Sequence, residues 1–184
     1  VSRGSSGPSS GTIGAEVWDA GNGIPAHGSR KIMTWDGSAG SNFSGALGGL
    51  LTATEVDYLR GDATLEVKNN CGSCIFRNRS SRLGDIINAD PHYVKNENFG
   101  YNSLPGTEGS SYGAFVLGKE TRTAVVYGAA NDGMLHGFRA SDGVELFAYV
   151  PKAIWGDLKN LTDPAYTHRY FVDGSPTAWD AYFG

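Results

Sequence analysis

The strongest constraint on the fold of this chain is the run TAVVYGAANDGMLHGFRASDGVELFAYVP at residues 123–151, where three short β-type runs are joined by two glycine-terminated turns. Residues 125–129, 134–139 and 144–150 are rich in Val, Phe, Tyr and Leu, and each has the length of a strand rather than a helix. Between them stand Asn131-Asp132-Gly133 and Ser141-Asp142-Gly143, residue types that accept positive φ at low steric cost. Loops this short join antiparallel neighbours, because a parallel crossover needs a dozen or more residues. The run therefore specifies a meander.

Alternation places Met134, His136 and Phe138 on one face and Leu135, Gly137 and Arg139 on the other; in the last run Val144, Leu146, Ala148 and Val150 alternate with Glu145, Phe147 and Tyr149. Bulk on both faces of that run requires cover on both. A small sheet stacked between similar sheets satisfies this better than a sheet with one face on water, and a propeller blade is such a sheet.

The segment from Val125 through Pro151 resembles the blade repeat of quinoprotein-like β-propellers, roughly V-Y-x-G-x-x-D-G-x-L-x-A-x-D-x-x-T-G-x-x-L-W. The run at residues 131–176 more closely resembles the C-terminal propeller of the PilC/PilY family of type IV pilus biogenesis and tip proteins. WDAGNGI and RKIMTW (residues 18–35), VDYLRGD (56–62) and FRNRSSRLGDIINADPHYV (76–94) match that family in the same order, so the resemblance covers most of the chain from Trp18. Gly137 stands where the generic repeat has Ala, Arg139 where it has Asp, and Phe147 where it has Trp. These departures bear on cofactor use, not on the sheet.

The expected fold is mainly β: part of a quinoprotein-like propeller, an incomplete ring of antiparallel blades, with one or two short helices. At roughly 40 to 50 residues per blade, 184 residues supply about two to four of the four to eight blades a ring needs, so the chain is read as a fragment. Residues 1–17, mostly Ser and Gly, read as a flexible linker, and residues 18–184 as the N-terminal part of the propeller. Twenty-seven glycines and 18% charged residues suit a turn-rich β domain.

Along the chain, residues 30–35 read as a strand. A helical region is expected over residues 43–58, clearest from Thr52, with Thr52 and Glu55 forming a capping box and Gly61 ending it. Brief strands are expected at 63–67, 82–88, 92–95 and 112–117, with a long polar loop at 95–111. KAIWGDLKNL, from Lys152, offers a short helix, and residues 170–173 begin another blade.

The net charge of −4 comes with no basic cluster interleaved with aromatics, so nothing requests a nucleic-acid partner, and no run of 18 apolar residues offers a membrane span. Cys71 and Cys74 form one C-x-x-C, half of a structural zinc site with no second half. In an exported chain the pair would close a small disulfide; two free thiols or a catalytic dithiol are the alternatives, the last opposed by Asn69, Asn70 and Gly72, which make this a loop. Arg60-Gly61-Asp62 is the smallest integrin-recognition signal and a candidate adhesive contact, against the simpler reading of a helix-ending glycine flanked by solvated charges.

Asp85, Asp90, Asp132, Asp142, Asp173 and Asp180 form no D-x-D-x-D-G array, and most precede Gly or Pro as turn residues do. No metal or cofactor is expected in this segment. The resemblance implies a calcium loop only in the propeller beyond Gly184. His27, His92, His136 and His168 are widely spaced and lie on different elements, and His136 and His168 read as hydrogen-bonded structural groups rather than ligands. No nucleophile or phosphate-loop motif is present.

The resemblance implies a non-enzymatic, exported, pilus-associated protein of the cell surface. Its propeller would meet minor pilins at the pilus tip, with a host-surface protein as a further partner. The rival readings are a periplasmic dehydrogenase using pyrroloquinoline quinone, weakened by Phe147 in place of Trp, and an outer-membrane assembly propeller, whose blades would repeat through residues 18–112 as these do not.

Overall fold

The computed structural model describes residues 15–183, so the linker expected over residues 1–17 lies, except for its last three residues, outside them. The meander forms as β4 (Val125–Ala130), β5 (Met134–Arg139) and β6 (Glu145–Val150). Pairing of β4 with β5 is continuous from Val125↔Arg139 to Ala130↔Met134, whereas β5 and β6 carry a bulge at Gly137 and Phe138. Gly133 turns the first hairpin at φ +89, and a Cβ there would lie 2.4 Å from Leu158 Cδ2. Glycine is needed both for that backbone and for the close approach of the following helix.

Three further strands extend the sheet: β1 (Ile32–Trp35), β2 (Gly40–Asn42) and β3 (His92–Val94), in the order β2-β1-β6-β5-β4-β3. The β1–β6 pair is parallel, with Met33 opposite Tyr149, which corrects the expectation of antiparallel pairing throughout. A parallel pair needs a long crossover, and here everything between residues 35 and 145 provides it.

The helix α1 (Ala53–Arg60) has the capping box expected of Thr52 and Glu55, with Gly61 left-handed at φ +114 as its C-cap; residues 43–51, also expected to be helical, instead form turns, with Gly45, Gly48 and Gly49 at positive φ and a bridge between Leu47 and Leu51. The short helix α3 (Trp155–Leu158) lies between 3₁₀ turns at Lys152–Ile154 and Lys159–Thr162. The strand expected at 112–117 is instead part of a 14-residue helix, α2 (Gly106–Lys119), which also takes the end of the expected 95–111 loop. Its buried residues Gly109, Tyr112 and Lys119 share one helical face, while Phe115 and Leu117 are exposed.

Residues 82–88, 63–67 and 170–173 are not strands. Around 82–88 the backbone bonds crosswise to side chains: the Gly84 N–H donates to Asp132 Oδ2 (2.9 Å) and the Asn88 N–H to Asp173 Oδ1 (3.1 Å). Residues 63–67 make a single bridge, Glu66 with Phe76, before the 3₁₀ turn Val67–Asn69.

One face of the sheet carries the core, in which Ile32, Met134, Ala148 and Val150 pack with Phe43, Leu51, Val56, Tyr58, Trp155 and Leu158. Helices and loops cover this face, where the sequence implied another sheet. Trp155 Nε1 donates to Thr34 Oγ1 (3.1 Å), which itself donates to the Val150 carbonyl (2.7 Å), so α3 is tied to both parallel strands. On the opposite face Tyr127, Leu135, Phe147 and Tyr149 are half-buried and Met33 and Trp35 exposed. Gly137 and Phe147 belong together: an alanine methyl at 137 would lie 2.8 Å from ring carbons of Phe147, directly across the strand pair.

Candidate functional site

The first turn of the meander and the strands beside it converge on a buried chain of charges. His136 on β5 is fully buried, with Nδ1 2.8 Å from Glu145 Oε1 and Nε2 3.1 Å from Asp132 Oδ2. Glu145 on β6 also receives Arg30, whose Nε and Nη2 each donate at 2.7 Å to its two oxygens. Arg30 lies just before β1 and gives its remaining Nη1 to the Arg60 carbonyl (2.8 Å). The β5–β6 hairpin is thus joined to a segment 115 residues away in sequence through paired, hydrogen-bonded charges, the arrangement that burial of charge requires.

Burial alone would push the His136 imidazole down, but Asp132 and Glu145 reverse that and hold it up at about 9. Burial would likewise raise Glu145, and His136 and Arg30 outweigh it, holding the carboxyl at about 2. At neutral pH His136 is therefore an imidazolium donating from both nitrogens. With both ring nitrogens engaged and no hydroxyl or thiol among its partners, it clamps strands together and has no reactive position to offer.

The bulge explains why alternation misplaced Glu145. Gly137 faces Phe147, yet Phe138 faces Glu145, so Leu146 is the extra residue and Glu145 turns to the core side with His136. Arg30 and Glu145 were not among the sequence candidates. The only local signal was a lone glutamate in the otherwise apolar run 144–150; Arg30, between Ser29 and Lys31 and before β1, carried none.

Of the turn residues expected to matter, Asn131 is buried. Its N–H donates to the Asp85 carbonyl (3.0 Å), its Nδ2 to Asp85 Oδ2 (3.2 Å), and its Oδ1 accepts from the Phe171 N–H (3.0 Å). Asp132 accepts from the Gly84 and Met134 N–H groups as well as facing His136. His168 reaches Asp85 Oδ2 at 2.8 Å. Burial would raise Asp85, and the hydrogen bonds from His168 and Asn131 outweigh it to hold the carboxyl below its ordinary range. The first turn thereby fastens residues 84–85 and 171 to the sheet. The second turn is simpler: Asp142 accepts from Arg139 (2.8 Å) and from the Val144 N–H (3.2 Å), and Gly143 is left-handed at φ +72.

Beside the first turn opens a cleft of about 100 Å³ whose lining includes Arg77, Arg79, Arg82, Asp85 and His168. Arg79 is committed to the fold: it pairs with Glu66 (2.9 Å), donates to the Tyr58 and Asp62 carbonyls, and stacks 3.6 Å over the Tyr58 ring.

Arg60, Gly61 and Asp62 do not form an exposed recognition tripeptide. Arg60 is 9% exposed, and its guanidinium donates to the carbonyls of Phe43 (2.8 Å), Arg30 (2.9 Å) and His27 (3.0 Å). The integrin-type reading needs an outward arginine, and the simpler reading wanted it solvated; the carbonyls it serves hold it inward. Asp62 is half-buried and accepts from the Thr64 N–H (2.9 Å). Cys71 and Cys74 are joined in a disulfide on a loop. Asp173 accepts from Asn88, Asp180 from Tyr112 Oη (2.7 Å) and Lys119 Nζ, and the Asp90 N–H donates to Ser175 Oγ (2.9 Å); among the described residues no group of three or more His, Cys, Asp or Glu is placed to hold a metal ion.

Nearly all of this first-turn architecture lies in the part of the chain that a sequence model of the PilY1 beta-propeller domain matches, residues 83–184, more than half of the whole. The chain belongs to the PilY1 β-propeller family. Among curated proteins it is similar to a type IV pilus biogenesis factor PilY1 homolog of Xylella fastidiosa (strain Temecula1 / ATCC 700964), 45% identical over 132 residues. That match covers 71% of this chain and 11% of the relative. It is also similar to the type IV pilus biogenesis factor PilY1 of Pseudomonas aeruginosa strain PAK, 44% identical over 133 residues, covering 70% of this chain and 11% of that protein. PilY1 of strain UCBPP-PA14 is 37% identical over 135 residues, covering 71% and 11%. The matched part of this PilY1-family chain thus spans about a tenth of the length of these relatives. No solved structure matches it. Arg30, Arg60 and the Cys71–Cys74 pair lie before the part matched by the PilY1 family model, and Asp85, Asn131, Asp132, His136 and Glu145 lie within it. No helix among the described residues is long and apolar enough to cross a membrane.

Proposed function

We propose that this chain is part of a β-propeller that serves type IV pilus assembly, acting as a rigid, non-enzymatic protein-binding scaffold at the pilus tip and contributing to adhesion there. The observation that carries this reading is the match of residues 83–184 to the PilY1 beta-propeller model, together with 44–45% identity to proteins named as type IV pilus biogenesis factors. Two features of the fold support it. The charge chain through Arg30, Glu145, His136 and Asp132 is fully internally paired, as suits a load-carrying scaffold rather than a reaction centre. The half-exposed face of Met33, Trp35, Tyr127, Phe147 and Tyr149 is suited to stacking against a neighbouring sheet, as blades of a quinoprotein-like ring do. In this reading the protein is exported through the periplasm to the cell surface and its partners are minor pilins, with a host-surface protein as a further ligand.

The experiment is immunogold labelling of intact, piliated cells with an antibody to residues 83–183. Label at pilus tips is the expected outcome. Label found only after the outer membrane is opened would contradict surface exposure and restore the periplasmic enzyme as the leading reading.

A further inference from the structure

We propose that Cys71–Cys74 is a thiol–disulfide exchange site, a substrate for a dithiol oxidoreductase of the thioredoxin class, with Cys71 the sulfur attacked and Cys74 the leaving group. The disulfide stands at the outer end of the loop that leaves the core at Leu65 and returns at Phe76. The base of that loop is closed by other means. The Phe76 and Ile75 N–H groups donate to the Leu65 carbonyl (3.0 and 3.1 Å), the Val67 N–H donates to the Phe76 carbonyl (2.9 Å), and Glu66 is held by Arg79 and Lys68. The disulfide spans a sequence separation of three residues, so it removes little chain entropy. Phe76, at the foot of the loop, is itself buried among the core residues. The bond is therefore placed where breaking it leaves the fold in place, unlike a staple across a core.

The loop end is also open to an approaching protein. Cys71, Gly72 and Ser73 are exposed, Cys74 is half-buried, and a side chain built on Gly72 would meet nothing within 4 Å. Attack on a disulfide requires access to one sulfur and stabilisation of the thiolate that departs from the other. The two sulfurs differ in both respects. Cys71 is the more accessible, and its own backbone N–H points at Cys74 Sγ (3.3 Å), so negative charge appearing on Cys74 meets a donor already in place. The Thr64 carbonyl lies 3.9 Å from Cys71 Sγ and 3.8 Å from Cys74 Sγ, ready to accept from whichever becomes a thiol.

The exchange balances without an outside electron carrier. A thiolate of the reduced oxidoreductase bonds to Cys71 Sγ as the Cys71–Cys74 bond breaks, and the electron pair leaves on Cys74, which takes up a proton. The oxidoreductase's second thiolate then attacks its own sulfur in the mixed disulfide, releasing Cys71 as a thiolate that is protonated. The oxidoreductase ends as a disulfide and this chain as a dithiol; the reverse sequence reoxidises it. Asn70 at φ +52 and the absence of a helix beginning at Cys71 distinguish the loop from the active-site geometry of such oxidoreductases. The pair is accordingly a substrate of exchange rather than its catalyst. This inference is independent of the pilus reading.

The test uses the full-length protein, natively folded, and a reduced thioredoxin whose second active-site cysteine is replaced by serine, so that the mixed disulfide is trapped. Non-reducing electrophoresis with peptide mapping by mass spectrometry is expected to place the adduct on Cys71 at least tenfold more often than on Cys74. Hydrogen exchange of α1 and of residues 64–79 follows the fold in C71S/C74S, which is expected to keep native protection in α1. Absence of an adduct on the native protein would overturn the proposal, as would an adduct mainly on Cys74. Loss of α1 protection in C71S/C74S would do so equally, because the disulfide would then be a staple.

Discussion

Replacing Glu145 by alanine is expected to be among the most disruptive single changes in the chain, lowering stability by about 3–5 kcal/mol, because it strands two buried cations. Arg30 would lose both carboxylate bonds and His136 one of its two partners, within a site from which water is excluded. Glu145→Gln keeps the shape and one acceptor oxygen, so its loss should be smaller while its effect on pH dependence is more informative. His136 has a folded value of about 9 against an ordinary 6.5, so its contribution is complete below pH 6.5 and disappears as pH rises through 9. Glu145, at about 2 against 4.5, contributes above pH 4.5 and loses that contribution as pH falls toward 2. The pair therefore supports the fold best between about pH 4.5 and 6.5. In Glu145→Gln the imidazolium keeps only Asp132, so its folded value falls and the alkaline loss, which still begins near pH 6.5, should be complete at lower pH. Hydrogen exchange of β5 and β6 from pH 5 to 9 checks this. Unchanged protection in Glu145→Ala, or an alkaline limb that does not move in Glu145→Gln, would refute the clamp.

Arg60 and Asp62 should behave in the opposite order from that of an adhesive tripeptide. Arg60→Ala removes the donor from three backbone carbonyls, of His27, Arg30 and Phe43, and is expected to lose about 3 kcal/mol and the exchange protection of α1. Asp62→Asn retains an acceptor for the Thr64 N–H and should alter stability by less than about 1 kcal/mol. Cell-binding assays on the folded Asp62→Asn protein complete the comparison. Binding unchanged from wild type is expected; binding abolished in that variant would restore the recognition role.

What the sequence disclosed divides by the range of the interaction that carries it. The α1 boundaries were legible because Thr52, Glu55 and Gly61 act within one turn of the positions they cap. The β4–β6 meander was legible because short turns leave one pairing available. The helix α2 was hidden by its composition, since Gly and Ser through residues 106–113 suppress the helical signal and Tyr112 and Phe115 suggest a strand. The parallel β1–β6 pair was hidden for a different reason: nothing local to residues 32–35 names a partner more than a hundred residues away. The clamp required both failures at once, a distant arginine and a bulge that reverses the alternation around Leu146. The Gly137 and Phe147 departures from the blade repeat, unrelated in sequence, are one packing solution in space, the glycine making room for the ring.

The central claim is that this PilY1-family chain serves pilus assembly, and the most direct measurement is a count of surface pili in cells lacking the gene that encodes it. Loss of pili on deletion, restored by the wild-type gene and not by one carrying Glu145→Ala, is the predicted result. Normal piliation in the deletion strain would contradict the account.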